Sequence, residues 1–273
     1  MPLSRPPHPM LRSLIEVIWA APARPGTGRI RREAVLPTGQ CHLAIRIGGA
    51  PFRIAEPADS TAPRTLSNAV IGGPRSGHYV KILDGGGPSV GALLRPGATP
   101  LLFGVPASDL AERHIPLQDV WGSSATARLV DCVAACTGET ARLAAFEAFL
   151  MQRLTPRPIG LHPAIAQTLD ALLPDARIGL LRAASGLNRK RFDSLFRDSV
   201  GLTPKRYQRL IRFRAALARL AEGEQADLAD IAYAAGFADQ AHFQHEFRTI
   251  AGITPGAYRR LGPAAAHHLP MPD

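Results

Sequence analysis

The chain has 273 residues, 46% hydrophobic and 20% charged, which suits about two ordinary domains with cores of their own and excludes a disordered protein. A net charge of +10 points to a polyanion or an acidic surface as partner, although an Arg- and Ala-rich coding bias also raises charge. No apolar run approaches the roughly 20 residues of a transmembrane helix. The three cysteines cannot all pair within one chain, so a reducing cytoplasm and no membrane partner are expected.

The first apolar stretch, "LIEVIWAAPA", is not read as a secretory leader. Glu16 interrupts it, and Pro2, Pro6, Pro7 and Pro9 crowd the start. From about residue 29 to residue 105 come short β-favouring runs: "CHLAIRI", "FRIA", "HYVKIL", "SVGALL" and "PLLFGV". Gly/Pro turns such as "GGAP", "IGGPRSG" and "LDGGGP" separate them, the pattern of a small antiparallel barrel or sandwich. Gly85–Gly87 lack the lysine and helix of a phosphate loop and read as a hairpin turn. From 123 to 154 apolar residues recur at three- and four-residue spacing, which predicts a helical hairpin and makes this half α+β.

Cys132 and Cys136, four apart there, read as small apolar packing residues. Cys41 and His42 resemble a nucleophile pair, but neighbours on a strand face opposite ways, so His42 would not activate Cys41. His42, His78 and His114 stand alone, and neither a metal, a cofactor nor a catalytic residue is expected. Trp19, Phe52, Phe103 and Trp121 are candidates to line a ligand pocket, with core packing as the plainer role for each.

"TPRPIGLHP", residues 155–163, breaks the chain with three prolines and a glycine and reads as a linker. The expected organisation is a domain over 1–154, the linker, a second domain over 164–262, and a flexible Pro-rich tail over 263–273. Past the linker only helices are predicted, at about 163–173, 177–185, 189–200, 204–221, 228–235, 240–250 and 255–261.

This half repeats itself. Shifted by 51 residues, Phe192, Phe196, Arg197, Gly201, Thr203, Pro204 and Tyr207 fall on Phe243, Phe247, Arg248, Gly252, Thr254, Pro255 and Tyr258. Each copy has a short helix closed by Gly186 or Gly236, then a cap from Asn188 or Asp239. A second helix follows, closed by Gly201 or Gly252. Helix, glycine turn and helix of this length form a helix-turn-helix.

Opposite the Phe pairs, the second helices carry Lys190, Ser194 and Arg197 in one copy and Ala241, His245 and Arg248 in the other, flanked by His242 and Gln244. Such groups suit base edges in a major groove, with Arg at phosphate. Between the copies, residues 204–221 predict a helix of roughly 27 Å, able to hold two reading helices about one DNA turn (~34 Å) apart. Ten Lys/Arg between 189 and 219 face only Asp193 and Asp198. Of the basic residues, Arg189, Arg191, Arg197, Lys205, Arg206 and Arg248 are expected at phosphates.

"LADIAYAAGFADQAHFQHEFRTIAGITPGAYRR", with Ala232, Gly236, Phe237, His242, Phe243, Phe247, Gly252, Pro255 and Tyr258, resembles the signature of the AraC/XylS family of bacterial transcription regulators. "GLNRKRFDSLFRDSVGLTPKRYQRLIRFRAAL" resembles that family's first unit and linker helix. The likeness spans about residues 161–261. It implies base reading by Lys190, Asp193 and Ser194, then by Gln240, Gln244 and His245. More loosely, "LPTGQCHLAIRIGG" and "VGALLRPGATPLLFGVPASDLAERHIPLQDVWG" resemble the sensor domain of some of these regulators. That likeness implies a cupin-like barrel that binds a small-molecule effector and pairs two copies. The resulting expectation is a sequence-specific, non-enzymatic regulator of promoter DNA that meets RNA polymerase. A DNA-repair-type enzyme and a non-specific DNA binder are the competing readings.

Overall fold

The computed structural model describes residues 3–23, 30–56, 58, 62–83, 85–154, 161–222 and 226–271. Ten strands come from the first half: β1 (Leu3–Arg5), β2 (Ile15–Ala21), β3 (Arg31–Val35), β4 (His42–Arg46), β5 (Arg53–Ala55), β6 (Arg64–Thr65), β7 (Ala69–Gly72), β8 (Tyr79–Leu83), β9 (Ser89–Leu94) and β10 (His114–Pro116). An eleventh, β11 (His268–Pro270), returns from the far end of the chain. They form two antiparallel sheets, ordered β1-β2-β9-β4-β7-β10 and β11-β3-β8-β5-β6.

Period-two alternation explains what each face of the larger sheet does. Leu43 and Ile45 of β4, Ile71 of β7, and Val90, Ala92 and Leu94 of β9 enter one core. That core is shared with α1 (Ala98–Leu102), α2 (Ala107–Leu110), α3 (Gln118–Trp121) and the hairpin of α4 (Ser123–Ala134) and α5 (Glu139–Arg153). The intervening residues, His42, Ala44, Arg46, Val70 and Leu93, face a cavity of about 930 Å³ between the sheets. Two glycines make its wall possible: a β-carbon at Gly72 would collide with the His42 imidazole, and one at Gly91 with the Trp19 indole.

The second half is helical: α6 (Pro163–Ala171), α7 (Ile178–Ala184), α8 (Arg189–Val200), α9 (Pro204–Ala221), α10 (Leu228–Ala234), α11 (Gln240–Ala251) and α12 (Pro255–Leu261). Phe192, Phe196, Phe243 and Phe247 are wholly buried around α9, with Phe213 lying 5.0 Å from Phe247 between ring centroids.

Several expectations need correction. "PLLFGV" is not a strand; its first half belongs to α1, since a short apolar run suits a buried helix equally well and Gly97 (φ 84°) turns the chain into one. Gly85–Gly87 do not close a hairpin, because the strands they connect, β8 and β9, lie in different sheets. Cys132 is exposed and Cys136 half-buried, so they do not pack into the hairpin core, and both are free thiols. Residues 155–160 of the expected linker lie outside the described residues, while Pro163 already opens α6, capped by His162.

The largest correction concerns the C-terminal segment, which is not a loose tail. β11 pairs with β3 (Leu269 opposite Ala34), His268 Nδ1 lies 2.7 Å from Glu33 Oε1, and Tyr258 Oη donates to the Ala266 carbonyl at 3.0 Å. Leu269 is buried in the helical-domain core together with Ala34 and Leu36. Proline in this stretch argued for fraying. It is tolerated because β11 is an edge strand.

Candidate nucleic-acid interface and effector cavity

Each reading helix is set by the local signals its sequence carries. Asn188 Oδ1 accepts from the Arg191 amide at 2.9 Å and Asp239 Oδ1 from that of His242 at 2.7 Å, so both α8 and α11 start at a side-chain cap. Both end on a left-handed glycine, Gly201 (φ 84°) and Gly252 (φ 75°). Thr203 and Thr254 then cap α9 and α12. The glycine turns before the reading helices are also left-handed, Gly186 at φ 68° and Gly236 at φ 77°.

The faces opposite the Phe pairs are open. Lys190, Ser194, Arg197, Gln244, His245 and Arg248 are exposed, and Asp193 and Gln240 half-buried. Two of the first-unit candidates are already engaged: Asp193 pairs with Arg189 at 3.8 Å, and Ser194 Oγ donates to Asp198 at 3.3 Å. Lys190 is the first-unit candidate left without a carboxylate partner among the described residues. Of the cations expected at phosphates, Arg191, Arg197, Lys205 and Arg248 are exposed with no ion pair among the described residues. Arg206 stands 4.0 Å from Glu112 of the first domain. Further along α9 the basic residues work internally: Arg209 pairs with Glu246 of α11, Arg212 donates to the Pro174 carbonyl, and Arg214 to that of Thr38.

The C-terminal ends of both reading helices dock on the first domain, a feature no local sequence signal announces. Gly97 N–H donates to the Ser199 carbonyl at 2.8 Å, and His78 N–H to the Ile250 carbonyl at 3.0 Å. Ser108 of α2 donates to Asp198 of α8 at 3.2 Å.

The cavity of the first domain has apolar walls of Val17, Trp19, Phe52, Val70 and Leu93, with Arg46, Arg75 and Lys81 set against Glu33. Of the four aromatics expected there, Trp19 and Phe52 line it. Phe103 and Trp121 do not; they pack on one another and on the α5 side, with centroids 5.5 Å apart, because they sit on helices behind the sheet. The C-terminal segment supplies another wall through Ala266, His267 and His268. His42 and His114, isolated in sequence, meet with ring centroids 5.3 Å apart. Among the described residues no group of three or more His, Cys, Asp or Glu could hold a metal ion.

One buried cluster organises the cavity wall. Glu56 accepts from Arg75 Nη2 at 2.7 Å, from the His114 amide at 3.2 Å, and lies 2.9 Å from His114 Nδ1. Burial pushes the Glu56 carboxyl up, but the hydrogen bond from His114 and the Arg75 guanidinium more than offset it and hold it at about 2. Arg75 also stacks on Tyr79, 4.6 Å from the ring centre. Cys41 lies on the helical side, buried, its thiol pushed up to about 12 by desolvation, away from His42 in the cavity.

Three imidazoles are held below their ordinary 6.5. Burial lowers His42 and His114, and burial with the Arg214 charge lowers His267 to about 4. Each stays neutral in the folded chain at pH values where the unfolded chain takes a proton. Their stability contribution is therefore full above 6.5 and is lost as pH falls toward the folded values, about 4 for His267. The thermal midpoint is expected to drop on acidification from about pH 7 to about pH 4.5, with a shallower drop in His267→Asn. An unchanged slope in that variant would remove His267 from the account.

Residues 181–261 match the family described as a helix-turn-helix domain, a stretch that runs from α7 to α12 and holds both units. This stretch carries an AraC-type helix-turn-helix domain. Residues 4–116 match a domain of unknown function, DUF6597, which spans the strands of the first half. Over 104 residues the chain is 35% identical to the HTH-type transcriptional regulator GlxA of Rhizobium meliloti (strain 1021), covering 36% of this chain and 32% of that protein. The chain thus spans about a third of the length of this curated relative. Among solved structures it is similar to the DNA-binding domain of AdpA in complex with a target DNA (27% identity, 36% of this chain and 92% of that one, TM-score 0.34). It is also similar to ToxT from Vibrio cholerae (12% identity, 95% of this chain and 98% of that one, TM-score 0.45). Among the described residues no helix is long and apolar enough to cross a membrane.

Proposed function

We propose that the protein is a sequence-specific transcription regulator. In this reading α8 and α11 enter neighbouring major-groove segments of promoter DNA, and the inter-sheet cavity receives a small-molecule effector. One observation carries it: two equally capped, equally closed helices, each buried by its Phe pair, both present an exposed polar and basic face. Lys190, Gln240, Gln244 and His245 are the base readers, and Arg191, Arg197, Lys205 and Arg248 the phosphate contacts. Asp193 and Ser194 read bases only if DNA replaces their present partners. A cytoplasmic setting, contact with RNA polymerase and pairing of two copies belong to the same proposal. The repair-enzyme reading is not favoured, since Cys41 is buried and desolvation keeps its thiol protonated.

Selection of bound fragments from a random DNA pool tests the reading, which expects a two-part consensus. Gln244→Ala is expected to relax preference at one or two base pairs by about 1–3 kcal/mol. Arg248→Ala should instead weaken all sequences alike and flatten the salt dependence by about one unit of slope. Equal loss on selected and random DNA for Gln244→Ala would overturn its role, and a pool without consensus would leave a non-specific binder.

A further inference from the structure

The loop of residues 73–78 touches three things at once. Its Arg75 is 6% exposed and lines the cavity, with a buried Nε that has no hydrogen-bond partner among the described residues. Its Pro74 lies against Gly201 at the end of α8, where a β-carbon would collide with the proline ring and the Ala107 carbonyl. Its His78 lies against the end of α11. The backbone N–H donates to the Ile250 carbonyl, Nδ1 is 3.1 Å from the same oxygen, and a β-carbon at Gly252 would stand 2.6 Å from the imidazole. Gly201 and Gly252 are equivalent positions of the internal repeat, so one loop holds both copies by the same feature.

The rest of the loop is fixed from behind. The Ser76 amide and hydroxyl donate to the Glu112 carboxylate, the hydroxyl at 2.6 Å, and the Glu112 amide donates to the Pro74 carbonyl at 2.9 Å. Glu112 adopts φ 60°, a left-handed conformation unfavourable for a residue with a β-carbon, which the surrounding bonds impose.

We propose that this loop couples the cavity to DNA. An apolar ligand with an anionic group binds with that group at Arg75, and the loop transmits its presence through Pro74 and His78 to the ends of both reading helices. The ligand class follows from the walls. They are apolar and aromatic, carry Arg31, Arg46, Arg75 and Lys81 against Glu33 and the Glu56 that pairs with Arg75, and leave the Arg75 Nε–H without an acceptor among the described residues. The inference rests on the regulator reading for its DNA consequence, but not for the ligand site.

The full chain is tested with anilinonaphthalene sulfonate, an apolar fluorophore with one anionic group. Arg75→Gln is expected to lose about tenfold or more in probe affinity. Should that variant fail to fold, Arg75→Lys, which keeps the charge without the Nε–H, replaces it, with the probe again bound more weakly. Saturating probe is expected to change amide hydrogen exchange at residues 199–203 and 250–254, and to shift affinity for the selected duplex by about fivefold. In His78→Ala the probe should bind within about twofold of the parent, while exchange at 250–254 stops responding, exchange at 199–203 still responds through Pro74, and the shift in DNA affinity shrinks. Undiminished probe binding in the Arg75 variants, no probe binding by the parent, no exchange response in the parent, or a full response in His78→Ala would each overturn the proposal. If the parent selects no DNA sequence, the regulator reading falls, while the probe and exchange results still decide the ligand site and the loop.

Discussion

Phe247→Ala is expected to destabilise the helical domain by about 3–5 kcal/mol, the range for emptying a fully buried phenylalanine site. The ring is wholly buried and lies 5.0 Å from Phe213, 5.8 Å from Phe243 and 5.9 Å from Tyr258 between centroids. Removing it opens a void where α9, α11 and α12 meet, and those helices cannot close on it without dragging Gly252 off the His78 loop. Tyr258 also holds the Ala266 carbonyl, so the cavity's C-terminal wall should loosen with it. Thr249→Ala, two residues on and exposed, should stay within about 0.5 kcal/mol. Denaturant unfolding compares the two, and similar losses would show that α11 is not anchored by its apolar side.

Glu56→Ala is expected to cost about 3–5 kcal/mol as well, for an electrostatic reason. Its carboxylate is the buried counter-charge of Arg75, and each side chain is 8% exposed. Without it the guanidinium keeps, among the described residues, the Tyr79 face and the His114 nitrogen, 3.0 Å away, and an uncompensated charge stays buried. A double change, Glu56→Gln with Arg75→Met, should recover much of the loss by removing both charges. If Glu56→Ala melts like the parent, water reaches this cluster and the cavity wall is not the closed structure described.

The helical half was the more legible because its signals are local and occur twice. Caps at Asn188, Asp239, Thr203 and Thr254 and turns at Gly201 and Gly252 depend on neighbours within a few residues, and each copy checks the other. The strands of the first half were legible where alternation is clear, as in β4 and β8. Elsewhere the deciding partner lies far along the chain. β11 exists because His268 finds Glu33, separated by 235 positions, and no window of sequence contains both. The same limit hid the Glu56–Arg75–His114 cluster and the contact between His42 and His114, which only sheet register brings together. Trp121 and Phe103 were misplaced because an aromatic on a short helix carries no mark of which layer it will enter. Docking of both reading helices on the residue 73–78 loop was likewise invisible, since Pro74 and His78 look like ordinary turn residues.

A spacing series gives the most direct check. The two halves of the selected consensus are moved apart base pair by base pair, and affinity is measured at fixed salt. Two recognition elements yoked by a single strut predict a sharp optimum at about 10–10.5 base pairs between half-site centres, with a loss of more than about tenfold when half a turn is inserted. Affinity that stays level across the series would mean the two helices never grip the same duplex together, and would contradict the account.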